Sequence, residues 1–157
     1  MQKMRSFLWF DGKAEEAARF YTSVFRGGKI LDIMRYTEAG PGPKGEVLTV
    51  SFELFGQQFV ALNGGPHYTF TPAVSFMVDC ETQEELDAYW DKLADGGTPI
   101  QCGWITDKYG LTWQITPSIL LPMLQGKDST RATRVTRAMM EMVKLDFAGL
   151  QRAYDRE

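Results

Sequence analysis

Histidine occurs once in the 157 residues, as His67, and cysteine only twice, as Cys80 and Cys102. With a single imidazole and no Cys-x-x-Cys, this chain excludes thiolate zinc sites, dithiol redox motifs and the usual two- or three-His metal sites. A Cys80–Cys102 disulfide is open but unneeded at this size. Two small, at least half-buried residues in a reducing compartment are the simpler reading. A large excess of one charge is also missing: 17 Lys and Arg stand against 20 Asp and Glu, a net charge of −3. No basic stripe results, so nucleic acid is not an expected partner. No apolar run approaches the ~18 residues of a membrane helix, so no membrane association is expected. The early apolar stretch, FLWF, is too short for a signal-peptide core, and a cytoplasmic location is expected. What remains is an ordinary globular composition, 44% hydrophobic and 24% charged. It suits one domain or two small halves.

The most informative feature is an internal repeat. FLWFDGKAEEAARFYTSVFRGG near the N-terminus parallels VSFMVDCETQEELDAYWDKLADGG in the middle. Asp11 matches Asp79. After one extra residue, Glu15–Glu16 match Glu84–Glu85, Phe20–Tyr21 match Tyr89–Trp90, and Gly27–Gly28 match Gly96–Gly97. Each copy reads as a strand, then a helix with acids in its first turn, then a glycine pair that ends it. Thr82 with Glu85 three residues on reads as a capping box. KILDIMRYT and EVLTVSFELFGQQFVALNGG then supply three strands, with a loop EAGPGPKG and a tight turn at Phe55–Gly56. The first unit is therefore β-α-β-β-β. In the second, Gly97 and Gly110 are 13 positions apart, against 28 for Gly28 and Gly56. A strand, or most of one, is expected to be lost there.

The tail is helical in pattern. Pro117–Leu124 predicts a short helix, Ser129 to about Lys144 a longer one, and Asp146 caps a third. It either packs on its own domain or forms a dimer contact. Arg131, Arg134, Arg137 and Lys144 read as a solvated cationic face opposite Met139 and Met142.

Two such units, together with LWFDGKAEEAARFY, AGPGPKG, ALNGGP, CETQEELD and DKYGLTWQITP, resemble the vicinal oxygen chelate superfamily, the fold of glyoxalase I and the bleomycin-resistance proteins. Within it the chain is similar to the PhnB-like branch, often labelled 3-demethylubiquinone-9 3-methyltransferase-like. The resemblance implies an α+β fold with two β-α-β-β-β modules, the second shortened, and a cup-shaped sheet holding a small molecule. It also implies a homodimer whose modules are sometimes exchanged between chains. The expected boundaries are residues 1–66 and 67–117 for the modules and 118–157 for the helical extension.

In metal-using members the ligands come from the first and last strand of each module. Strand alternation places Val74, Phe76, Val78, Leu111, Trp113 and Ile115 toward the helices. The cup then receives Arg5, Phe7 and Trp9, Gln58, Val60 and Leu62, Ala73, Ser75 and Met77, and Thr112, Gln114 and Thr116. The four ligand positions become Arg5, Val60, Ala73 and Gln114. Only Gln114 offers an oxygen, so no metal and no cofactor is expected. Methyl transfer from S-adenosylmethionine would want a glycine-rich loop after a strand and a following acid, and neither is present.

The expected small-molecule pocket comprises Arg5, Trp9, Gln58, Ser75, Met77, Trp104, Thr112 and Gln114, apolar with a few oriented polar groups. The same residues serve equally as sheet core or a dimer interface. His67 is the one candidate catalytic base, in the link between modules; a solvated linker histidine is the plainer alternative. Three functions follow: a metal-free binder of a small molecule, a metal-independent enzyme, or a dimeric interaction protein with a filled cup.

Overall fold

The computed structural model describes residues 2–156. The chain forms two compact units, the first ending at Phe70 and the second beginning at Thr71. Among the described residues no helix is long and apolar enough to cross a membrane.

The first unit holds β1 (Ser6–Phe10), α1 (Ala14–Val24), β2 (Lys29–Arg35), β3 (Val47–Leu54) and β4 (Gln57–Asn63), with sheet order β1-β4-β3-β2. β1 runs parallel to β4, and the remaining pairs are antiparallel. Period-2 alternation puts Leu8, Phe10, Val50, Phe52, Phe59 and Ala61 on one face, all buried. Ala14, Ala17, Ala18, Tyr21 and Val24 of α1 are buried with them at helical spacing. Lys13 gives α1 no side-chain cap; instead Ala14 N donates to Asn63 Oδ1 at 2.9 Å. The Asn63 amide donates in turn to Val47 O, which ties the helix start to the end of β4.

The second unit repeats the plan with β5 (Ser75–Cys80), α2 (Gln83–Ala94), β6 (Thr98–Pro99), β7 (Trp104–Thr106) and β8 (Thr112–Pro117), in sheet order β5-β8-β7-β6. No strand is lost outright: β6 keeps two residues and β7 three. α2 packs Leu86, Tyr89, Trp90 and Leu93 onto the sheet face carrying Val78, Ile105, Trp113 and Ile115. Glu85 N donates to Thr82 Oγ1 at 3.1 Å, as the capping pattern predicts. The Glu85 carboxylate reaches one residue further back than the standard box, accepting from Glu81 N. Val74 departs from expectation. It precedes β5 and is 63% exposed, because the ladder that would turn it toward α2 begins only at Ser75.

The tail belongs to this unit: α3 (Leu120–Gln125), α4 (Ser129–Met140) and α5 (Phe147–Asp155). α4 stops at Met140 rather than near Lys144, because the next residues have a non-local backbone partner. Cys102 N donates to Met142 O and Gly103 N to Val143 O at 2.9 and 2.8 Å. Gly103 sits at φ +84, and a Cβ there would lie 2.7 Å from Leu145 Cδ1, so the approach requires glycine. Leu145 is fully buried, and Gln83 of α2 clasps its ends, donating to Leu145 O and accepting from Phe147 N. Of the tail cations only Arg134 is half-buried, donating to Ala153 O and Tyr154 O; Arg131 lies exposed over the Tyr154 ring, and exposed Lys144 pairs with Asp87 at 3.0 Å. That ion pair and the Gln83 amide hold the Asp87 carboxyl below the ordinary carboxylate range, the amide bond being the larger cause.

Candidate functional site

The strand registers of the second unit generate an ordered polar surface on the face turned away from α2. Ser75 is the partner of Thr112, Thr112 of Thr106, and Thr106 of Thr98. Paired residues share a face, so one row of hydroxyls crosses all the strands of this sheet. The next row is Met77, Gln114 and Trp104; beyond it lies Asp79 beside Thr116. Asp79 is the only formal charge in these rows. Gln114 Nε2 donates to Ser75 Oγ at 2.9 Å. Thr112 is fully buried, and its Oγ1 has no hydrogen-bond partner among the described residues. Met77 is 42% exposed, while Ser75, Trp104, Thr106 and Gln114 are partly exposed.

This register rests on a residue that the sequence reading passed over. Asp107 is buried in the β7–β8 turn. Its Oδ1 accepts from Tyr109 N and Leu111 N, and its Oδ2 from Trp113 Nε1 at 2.9 Å. Asp107 N closes the hairpin by donating to Leu111 O. One carboxylate thereby fixes Thr106 opposite Thr112 and anchors Trp113 under the sheet. The signal was legible as an Asp followed by Gly110 in DKYG, a side-chain-stabilised turn. Thr98 and Thr106 were also missed, because strands this short leave no periodicity to read.

The corresponding face of the first sheet is different. Its rows are Phe7–Val60–Ser51–Asp32 and Trp9–Leu62–Thr49–Met34, with Gln58, Glu53 and Lys29 beyond. Phe7 and Met34 are 59% and 50% exposed. Trp9 is held rather than free: Nε1 donates to Gly65 O at 2.8 Å, and Tyr68 meets the ring edge-on. A Cβ on Gly64 would run into the indole, so that glycine admits the ring. Arg5 precedes β1 and is exposed.

Register thus brings Ser75, Met77, Trp104, Thr112 and Gln114 together on the second sheet, and Trp9 and Gln58 onto the equivalent face of the first. His67 lies exposed in the segment after β4 and makes no hydrogen bond or ion pair among the described residues.

The four positions expected from the resemblance to carry ligands hold Arg5, Val60, Ala73 and Gln114. Arg5 and Ala73 fall outside the strands, Val60 is hydrocarbon, and Gln114 offers a single neutral oxygen, its Nε2 donating to Ser75. No group of three or more His, Cys, Asp or Glu side chains assembles among the described residues. This donor set does not fit a divalent ion. Nor do the glycines form the turn expected for S-adenosylmethionine. Gly27–Gly28 and Gly96–Gly97 follow α1 and α2, and of the strand-to-helix turns β1–α1 holds the single Gly12 and β5–α2 none, so neither is glycine-rich. Cys80 is fully buried, and burial pushes its thiol up to about 12, with Glu85 and Asp79 adding to the effect. It is therefore no nucleophile at neutral pH.

A family model described as 3-demethylubiquinone-9 3-methyltransferase matches residues 2–116. Among solved structures the chain is similar to a PhnB protein from Bacillus cereus that carries the same methyltransferase label. Identity is 44% over 74% of this chain and 99% of that one, with a TM-score of 0.68. A protein from Pseudomonas aeruginosa shares the fold at 18% identity and TM-score 0.59, over 72% of this chain and 95% of its own. So does the fosfomycin resistance protein FosX from Mesorhizobium loti, at 10% identity and TM-score 0.54, over 85% of this chain and 100% of its own. No curated protein matches the chain.

Proposed function

Because the chain belongs to the 3-demethylubiquinone-9 3-methyltransferase family, on its PhnB-like branch within the glyoxalase/bleomycin-resistance fold, we propose that it binds a small organic molecule without a metal ion. The contact surface in this reading is the face of the second sheet turned away from α2. The observation that carries it is the composition of that face. A sheet face destined only for core is apolar. This one presents Ser75, Thr106, Gln114, Trp104 and a 42%-exposed Met77, all on strands held rigid by α2 and the Asp107 turn. A few oriented polar groups beside aromatic and thioether surface is the make-up of a small-molecule site. The donor set at the ligand positions supports the metal-free part. The absence of a glycine-rich strand–helix turn among the described residues weighs against methyl transfer from S-adenosylmethionine.

Two further parts belong to the same proposal. Exposed Phe7 and Met34 on the first sheet, with 42%-exposed Leu31 on edge strand β2, support assembly as a homodimer. Two free thiols are compatible with a cytoplasmic location.

The test is a thermal-shift screen of the full chain against a broad set of metabolites in metal-free buffer. A ligand at 100 times its dissociation constant stabilises by about 2.7 kcal/mol, or roughly 5–10 °C in Tm for a chain of this size. Shifts appearing only with a divalent ion, or with none of a wide set, defeat the reading.

A further inference from the structure

We infer that the second-sheet face selects an uncharged ring polyol, a neutral monosaccharide or cyclitol. This inference rests on the binding proposal above and names its ligand class. Four observations converge on it.

The first is spacing. Ser75, Thr112, Thr106 and Thr98 stand on successive strands, so their hydroxyls repeat at about the 4.8 Å strand separation. Alternate equatorial oxygens of a six-membered ring are separated comparably, and hydroxyls on both sides donate and accept in turn. The second is charge. Asp79, two rows away, is the only formal charge in the rows, so an anionic ligand meets no counter-charge and a carboxylate ahead of it. The third is the indole of Trp104, in the next row beside Met77 and Gln114. It offers a flat apolar surface for the C–H face of a saturated ring.

The fourth is Thr112. It is fully buried with an unpartnered hydroxyl, in a row that otherwise reaches solvent. Gln114 lies two residues along on the same face, and its amide reaches back to Ser75, the register partner of Thr112. The amide thus reaches the residue paired with Thr112. A ligand hydroxyl that replaces Gln114 on Ser75 comes within one strand spacing of Thr112 and gives the Thr112 hydroxyl the partner it lacks.

The experiment uses the full chain with ¹³C-labelled threonine methyls and ¹⁵N-labelled indoles. The probes are D-glucose and myo-inositol, with D-glucuronate as the anionic counterpart and phenol as an uncharged aromatic. Expected are saturable shifts of the Thr98, Thr106 and Thr112 methyls and the Trp104 indole with glucose or inositol. The stronger of the two names the source. Glucuronate should bind at least about tenfold more weakly, and Thr112→Val should weaken the neutral probe by about tenfold, the worth of one buried hydrogen bond. Thr112→Val keeps shape and volume, and a Tm at or above that of the parent shows that it folds. If phenol or glucuronate shifts these signals and neither polyol does, the ligand class is overturned while the binding surface stands. If the shifts fall elsewhere or nowhere, the class and the surface both fall.

Discussion

Replacing Thr112 by valine should make the protein more stable. Thr112 is 0% exposed, and its Oγ1 has no hydrogen-bond partner among the described residues. An unsatisfied buried hydroxyl carries a desolvation penalty of about 1–3 kcal/mol. Valine keeps the β-branched shape and the strand preference, and it puts a methyl where the hydroxyl was. Nothing is lost from the ladder, because the backbone of Thr112 still pairs with Ser75 and Thr106. A gain of about 1 kcal/mol follows, equivalent to roughly 2–4 °C in Tm for a chain of this length. The assay is urea denaturation of parent and variant, followed by tryptophan fluorescence and by circular dichroism. A higher midpoint with an unchanged slope reports stability alone. Ser75→Ala is the control. Its Oγ accepts from the partly exposed Gln114 amide, which can turn to water, so a loss of no more than about 1 kcal/mol is expected. If Thr112→Val is destabilised by about 1 kcal/mol or more, its hydroxyl has a partner in solution. The argument from an unpaired group is then wrong.

Asp107→Asn should cost about 2–3 kcal/mol, because the single amide oxygen can accept either from the turn N–H groups or from the Trp113 indole N–H, and the NH2 then faces the other donor. Chemical denaturation measures the loss, and a near-neutral variant would show that the turn does not depend on the carboxylate. Leu145→Ala should cost about 2–5 kcal/mol and release the 141–147 segment, read as faster amide exchange at Cys102 and Gly103, whose N–H groups donate to it. Unchanged exchange would contradict the docking. Cys80 should resist alkylation at pH 8 in the folded chain while Cys102 is modified. The Cys80 thiol is pushed up to about 12 from 9.0, so the folded state holds its proton longer than the unfolded state. Its contribution to stability is intact below about pH 9 and is lost as pH rises toward about 12. Stability that rises over that interval would reverse the assignment.

The features legible in the sequence were those written in local pattern. The alternation in SFLWF and TWQITP announced which side chains meet the helices. The acid-rich starts and glycine ends of α1 and α2 announced the repeat. Asp146 declared itself as a cap, and Gly149 N indeed donates to it at 2.9 Å. What stayed hidden depends on partners far along the chain. The cap of α1 is Asn63, 49 residues away. α4 ends early because Cys102 and Gly103 take the backbone of Met142 and Val143. The hydroxyl row could not be seen, because β6 and β7 are too short to show a period and only their pairing lines up Thr98, Thr106 and Thr112. At the positions expected to carry ligands, the side chains of arginine, valine and alanine offer a cation no oxygen.

Native mass spectrometry of the full chain, purified without added metal, tests metal-free small-molecule binding most directly. The spectrum should show no stoichiometric divalent ion, and the chain should retain an organic adduct that collisional activation removes as a neutral molecule. One divalent ion per chain, kept through a chelator wash, would contradict the account and return metal-assisted chemistry to this fold.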